Sequence, residues 1–160
     1  MIDRRHPRLK ACDYRTAGAY FITVCAYQRQ CLFGSIEQMD ECGSVRHTLS
    51  AYGDCVERQI RSVESAFPFA HVYHHVVMPN HFHLLVSLDE NATHDIPFIV
   101  GRMKSLATRA SWEKGYAGKQ LFQTSFYEHI VRSEKEFEVI WSYIEGNPQK
   151  WSDDRYYIAP

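Results

Sequence analysis

The sequence predicts an α+β fold of one domain, built on an antiparallel sheet. Three observations carry that expectation: four short segments rich in β-branched and aromatic residues, longer stretches with apolar residues at steps of three and four, and the alternation of the two kinds along the chain.

Gly18 to Tyr27 (GAYFITVCAY) opens as a strand, since Tyr, Phe, Ile, Thr and Val favour the pleated conformation. Gly34 to Gly43 reads as loop or a short strand pair. From Ser44 to Ala66 the apolar positions Val45, Leu49, Tyr52, Val56, Ile60 and Val63 lie on one stripe, which predicts a single long helix ending at Pro68. His71 to Met78 is a second strand. Pro79-Asn80 is turn chemistry, and His81 to Leu88 a third strand close enough to form a hairpin with the second. Pro97 suits the first turn of a helix that runs to about Lys114, with Ile99, Met103, Leu106 and Ala110 inward. Phe126 to Arg132 is a fourth strand. Ser133 and Glu136 then form an S-x-x-E box opening a last helix, which stops before Pro148. The order β-α-β-β-α-β with a C-terminal helix is the ferredoxin-like, RRM-like arrangement. Such a fold names no function by itself.

A chain of 160 residues is one ordinary domain, and it buries enough surface to fold without a disulfide or structural metal. The domain is expected to span 1–160, with 1–17 as a basic N-terminal segment and 133–147 as the functional helix. The formal net charge of -1 runs against the basic character usual in nucleic-acid binders. Local clusters remain: Arg4, Arg5, Arg8 and Lys10 at the start, and Arg102 and Lys104 later. Cys12, Cys25, Cys31, Cys42 and Cys55 are odd in number and contain no C-x-x-C pair, which disfavours a disulfide framework or zinc knuckle. With no secretory h-region and no apolar run of membrane-spanning length, the sequence reads as cytoplasmic, with no membrane partner.

The most informative stretch is Pro79-Asn80-His81-Phe82-His83-Leu84-Leu85-Val86. Residues two apart on a strand face the same side, so His81 and His83 point together while Phe82, Leu84 and Val86 point to the core. Two such imidazoles can share one metal ion, or they can be a structural pair on a solvated face. The last helix places Tyr143 and Asn147 one turn apart on one face. A nucleophile and an amide ligand are one reading of that pair; a packing tyrosine before a helix stop is another. His71, His74 and His75 are not assigned to the metal.

An H-x-H strand followed about sixty residues later by a helix bearing Tyr-Ile-x-x-Asn resembles the single-tyrosine HUH transposases. Within them, the likeness is to the REP-associated tyrosine transposases of bacteria, in the IS200-like family. It spans Gly18 to Val24, Val77 to Leu85, Met103-Lys104-Ser105, Phe122-Gln123, Phe126 to Arg132 and Tyr143 to Pro148. The resemblance implies that His81 and His83 bind a divalent ion, Mg²⁺ or Mn²⁺, and that Tyr143 attacks DNA to form a 5′-phosphotyrosine intermediate. Relatives often carry glutamine where this chain has Asn147, so its metal role rests on a side chain one methylene shorter. Tyr127 is a rival nucleophile. The partner implied is single-stranded or hairpin, REP-like DNA, bound by a monomer or homodimer. Tyr14, Tyr27, Tyr116 and Trp151 are candidates to stack on bases, and Arg4, Arg5, Arg8, Lys10, Arg102 and Lys104 to hold phosphates. A binding module that has lost cleavage, a metal-dependent phosphoesterase using water, and a purely structural domain stand as alternatives.

Overall fold

A computed structural model describes residues 18–159. Its main sheet has four strands: β1 (Ala19–Cys25), β4 (Ala70–Met78), β5 (His81–Leu88) and β6 (Tyr127–Val131). They run in the order β4-β5-β1-β6, every neighbouring pair antiparallel. Helices α1 (Ala51–Arg61) and α3 (Ile96–Glu113) cover one face, and α4 (Glu134–Gly146) covers the other. This is the β-α-β-β-α-β arrangement with a C-terminal helix that the sequence predicts.

Strand alternation divides two cores. Phe82, Leu84 and Val86 point from β5 into the larger one, with Ile22 and Val24 from β1, Val56 and Ile60 from α1, and Ile99, Val100 and Met103 from α3. Leu85 points the other way, to Phe137, Ile140 and Ile144 of α4. Both long C-terminal helices start where side-chain caps place them. Asp95 Oδ1 accepts from the Phe98 N–H at 3.0 Å, with Pro97 in the first turn. Ser133 Oγ accepts from the Glu136 N–H at 3.1 Å, and the Glu136 carboxylate accepts from the Arg132 N–H and pairs with His129.

The stretch 44–66 departs from the expected single helix. Val45–Leu49 is strand β3, paired with β2 (Gly34–Gln38) in a separate two-stranded sheet. Val45 and Leu49 fit a strand step as well as a helical one, and the helix stripe absorbed them. Gly43, at φ 89°, supplies the left-handed turn between the strands. Ser50 then caps α1 by accepting from the Gly53 N–H at 3.0 Å, and Ser62 separates α1 from the short α2 (Val63–Ala66). A bulge between Val72 and His74 also breaks the alternation of β4. Tyr73 and His74 both pack on α4, at 5.2 Å from Phe137 and 4.5 Å from Trp141, while His75 turns to Glu57 of α1. No described helix is long and apolar enough to cross a membrane.

Candidate active site

His81 and His83 stand on the α4 face of β5, an interior strand paired on both sides. Their Nε2 atoms are 3.1 Å apart. The solvated face on which an alternating H-x-H strand could set them is not found: they are 0% and 1% exposed. Trp151 and Tyr156, from the chain after α4, lie against His81 with ring centroids at 6.1 and 4.6 Å.

Hydrogen bonds behind the rings fix how the pair presents itself. Asn80 donates from Nδ2 to the carbonyls of Arg29 (3.2 Å) and Tyr156 (2.7 Å). Its Oδ1 is thereby left facing His81 Nδ1 at 2.8 Å, so that nitrogen must donate and His81 Nε2 must carry the lone pair. His83 Nδ1 lies 2.8 Å from Thr23 Oγ1, its register partner on β1. A hydroxyl can donate or accept. His83 can thus donate from Nε2 to His81, or shift that proton to Nδ1 and free a second lone pair.

Helix α4 brings Tyr143 and Asn147 to the same place. The Tyr143 ring is 5.2 Å from the His83 ring and 6.0 Å from that of Phe21, and it is 41% exposed, at the rim. Asn147 is buried. Its Nδ2 donates to Asp154 Oδ2 at 3.2 Å, and its Oδ1 meets no hydrogen-bond donor. Asp154 is a member that sequence reasoning missed. Its side chain is 2% exposed, its Oδ2 lies 3.9 Å from His81 Nε2, and its Oδ1 accepts from the Tyr156 N–H at 2.8 Å. The one sequence signal is an acidic pair, Asp153-Asp154, shortly after Asn147-Pro148; nothing in it indicates that the chain turns back.

Burial dominates the electrostatics. It pushes His81 down to about 3, aided by the Arg29 charge and opposed by the Asn147 amide. Burial, then the neighbouring His81, pushes His83 well below its ordinary range. Both rings are therefore neutral, the state in which imidazole binds metal. The Tyr143 hydroxyl is raised by burial and by Asp154, while Asn147 and Arg155 act the other way.

These residues fit a divalent cation. His81, His83 and Asp154 offer ligand atoms within 4.8 Å of one another. An octahedral ion with bonds of about 2.1 Å sets adjacent ligand atoms about 3.0 Å apart, close to the 3.1 Å between the two Nε2 atoms. A buried amide oxygen without a donor and a buried carboxylate both gain from a cation.

The other candidates are scattered. Tyr127 is 54% exposed, and its ring is 6.5 Å from Phe21, the same ring that Tyr143 touches. Arg102 and Lys104 belong to α3, across the sheet from the histidines; Arg102 covers the Phe67 ring at 5.4 Å, and Lys104 donates to the carbonyls of Gln123 and Thr124 at 2.6 and 3.1 Å. Tyr116 packs on Tyr52 and donates to the Gln120 carbonyl, Trp151 is buried, and Tyr27 is 37% exposed. Tyr14, Arg4, Arg5, Arg8 and Lys10 lie outside the described residues.

Known proteins resemble this chain in sequence and in fold. Residues 16–147 match the family model described as "Transposase IS200 like". An uncharacterized protein of Haemophilus influenzae is 32% identical over 178 aligned positions, covering 97% of this chain and 93% of that protein. Among solved structures, a REP-associated tyrosine transposase bound to a REP hairpin is similar in fold, with TM-score 0.62, 23% identity, and coverage of 89% of this chain and 73% of that one. A candidate transposase of Deinococcus radiodurans is similar at TM-score 0.51 and 20% identity, over 87% of this chain and 97% of that one.

Proposed function

The chain belongs to the IS200-like transposase family, and from that premise we propose that it is a metal-dependent single-stranded DNA endonuclease and strand transferase whose nucleophile is Tyr143. The observation that carries this reading is the meeting of four features on one sheet face: the paired His81 and His83 Nε2 atoms, the donorless Asn147 Oδ1, the buried Asp154 carboxylate, and the tyrosine at their rim.

His81 and His83 would hold Mn²⁺ or Mg²⁺, with Asn147 Oδ1 and Asp154 as the oxygen ligands. When bound, the ion would polarise the scissile phosphate and offset its negative charge. Asn80 keeps the His81 lone pair turned inward. With Nε2 as a ligand, His83 would carry its proton at Nδ1 and donate it in a hydrogen bond to Thr23 Oγ1. The Tyr143 oxygen bonds to phosphorus, the bond to the 3′-oxygen breaks, and the tyrosine's proton ends on that oxygen as a free 3′-hydroxyl. The 5′-phosphotyrosine link conserves the phosphodiester, so a 3′-hydroxyl can reverse the step and join strands. Phe21, packed against both His83 and Tyr143, would set the approach of the phenol.

The substrate proposed is a single strand carrying a hairpin, REP-like in form. Support comes from the solved relative of similar fold that is bound to a REP hairpin. The whole chain is proposed to act as one domain. The test is incubation with labelled single-stranded hairpins, with Mn²⁺ or with chelator, followed by a denaturing gel. A protein–DNA adduct that needs the metal supports the reading. Cleavage without adduct points to water as the nucleophile, and no cleavage points to a binding module.

A further inference from the structure

We propose that Arg29 and Arg155 form a clasp for the phosphodiester backbone of single-stranded DNA at the mouth of the His81–His83 site. The inference rests on the DNA-processing role above and adds a binding site to it, formed by residues outside the basic clusters evident in the sequence.

Both guanidiniums stand over one ring. The Cζ atoms of Arg29 and Arg155 are 5.3 and 5.2 Å from the centroid of Tyr156. Tyr156 is buried, and its ring lies 4.6 Å from that of His81. One aromatic side chain therefore ties two cations to the metal-binding pair. Both arginines are exposed, and among the described residues neither is in an ion pair. Guanidiniums held on an aromatic face keep their planar donor forks free for phosphate oxygens.

The backbone on each side holds this arrangement. Gln28 and Arg29 adopt φ of 53° and 54°, a left-handed conformation that non-glycine residues seldom take. Such strain persists only where the surroundings enforce it, and it gathers at functional sites. Here the Arg29 N–H donates to the Ala26 carbonyl at 2.9 Å, and the Arg29 carbonyl accepts from Asn80, the residue that orients His81. On the other side, Asp154 and Tyr156 turn inward and are joined by the Tyr156 N–H to Asp154 Oδ1 bond. Arg155, between them, is left at the surface. A chain of net charge -1 attracts a polyanion through local fields, and these two charges sit on the ring that packs against His81.

The test is fluorescence anisotropy of a labelled single-stranded hairpin with the full-length protein, in chelator, over a range of salt. Each phosphate contact on a single strand contributes about 0.7 to the slope of log K against log salt. R29Q/R155Q should lower that slope by about 1.4 and weaken binding at low salt at least about tenfold. R29K/R155K should keep most of the slope. Thermal melting and Mn²⁺ titration of each variant identify any collapse of the Tyr156 packing. If the double glutamine variant melts early, the single variants serve, each losing about 0.7 of slope. An unchanged slope in well-folded glutamine variants overturns the clasp and leaves the transposase reading intact. Absence of any single-strand binding by the wild-type protein removes both.

Discussion

Asn80 Oδ1 lies 2.8 Å from His81 Nδ1, and it faces that nitrogen because both hydrogens of the Asn80 amide are already given to backbone carbonyls. A residue outside the proposed ligand set thus decides which His81 nitrogen carries the lone pair. Asn80→Ala is expected to weaken Mn²⁺ binding by about 10–100-fold. It should also cost about 1–3 kcal/mol of stability, since the Tyr156 carbonyl loses its partner in a buried place. Calorimetric Mn²⁺ titration beside a melting curve measures both; unchanged metal affinity would remove Asn80 from the site.

His81→Ala and His83→Ala should each abolish metal-dependent cleavage. Neither ring stands on an open face, so neither deletion is structurally silent. His83→Ala leaves the Thr23 hydroxyl unpaired in the interior, which should lower the melting temperature by several degrees. Cleavage assayed well below that temperature separates lost chemistry from lost fold. Full activity in either folded variant contradicts the metal assignment.

Asp154→Asn should act with opposite sign on two forms of the protein. Without metal, it removes a buried carboxylate that has no cation partner among the described residues, and stability should rise. With metal, an anionic ligand is gone, and Mn²⁺ affinity should fall about tenfold or more. Melting curves with Mn²⁺ and with chelator should therefore cross between variant and wild type. Parallel curves would make Asp154 a bystander.

Acid should destabilise the fold from near neutrality downward. Burial lowers His81 to about 3 in the folded chain, against about 6.5 when unfolded. Between those values the unfolded state binds the extra proton. Stability is thus full above pH 6.5 and falls with pH, at about 1.4 kcal/mol per pH unit for one histidine taken alone. His83, lowered in the same direction, steepens the fall. Urea titrations from pH 7 to 4 measure it; a flat profile would mean that the rings are not buried as neutral groups.

Tyr143→Phe should bind hairpin and metal yet lose adduct formation by about three orders of magnitude or more. Its stability should stay within about 0.5 kcal/mol, since the ring packing survives and the residue lies at the rim. Tyr127→Phe should still form adduct. Peptide mapping of the nucleotide to Tyr127 would place the nucleophile across Phe21 from where it is proposed.

Much of the fold was legible because its signals are local. The S-x-x-E box, Pro97 and the alternation after His81 each act within one turn or one strand, and β5, α3 and α4 form where they indicate. The stretch 44–66 misled because Val45 and Leu49 satisfy two periods, and only pairing with Gly34–Gln38 decides between them. His81, His83, Tyr143 and Asn147 were visible as spacings of two and four. Asp154 and Tyr156 were not, since their nearness to His81 depends on where the chain goes after Pro148, which no periodicity encodes. The burial of the histidines escaped for the same reason.

The β2–β3 hairpin is pinched at its base. The Ser50 N–H donates to the Phe33 carbonyl at 2.9 Å, and Ser50 Oγ donates to the Leu32 carbonyl at 2.6 Å. Gly53 leaves room for this closure, as a Cβ there would fall 1.9 Å from the Phe33 oxygen. Segment 34–49 thus closes on itself at its base before the chain enters α1, and it also meets the main sheet through the His47 side chain, which bonds the Val77 backbone. Its tip is open: residues 39–42 are exposed and a Cβ at Gly43 would meet nothing within 4 Å, so the turn should tolerate a change of length that the closed base would not. The hairpin also walls a cavity of about 350 Å³ whose other side is Pro148, Trp151 and Tyr157. Substitution of Ile36 or Val45, which line the cavity from the hairpin, would therefore reshape this wall from outside the main sheet.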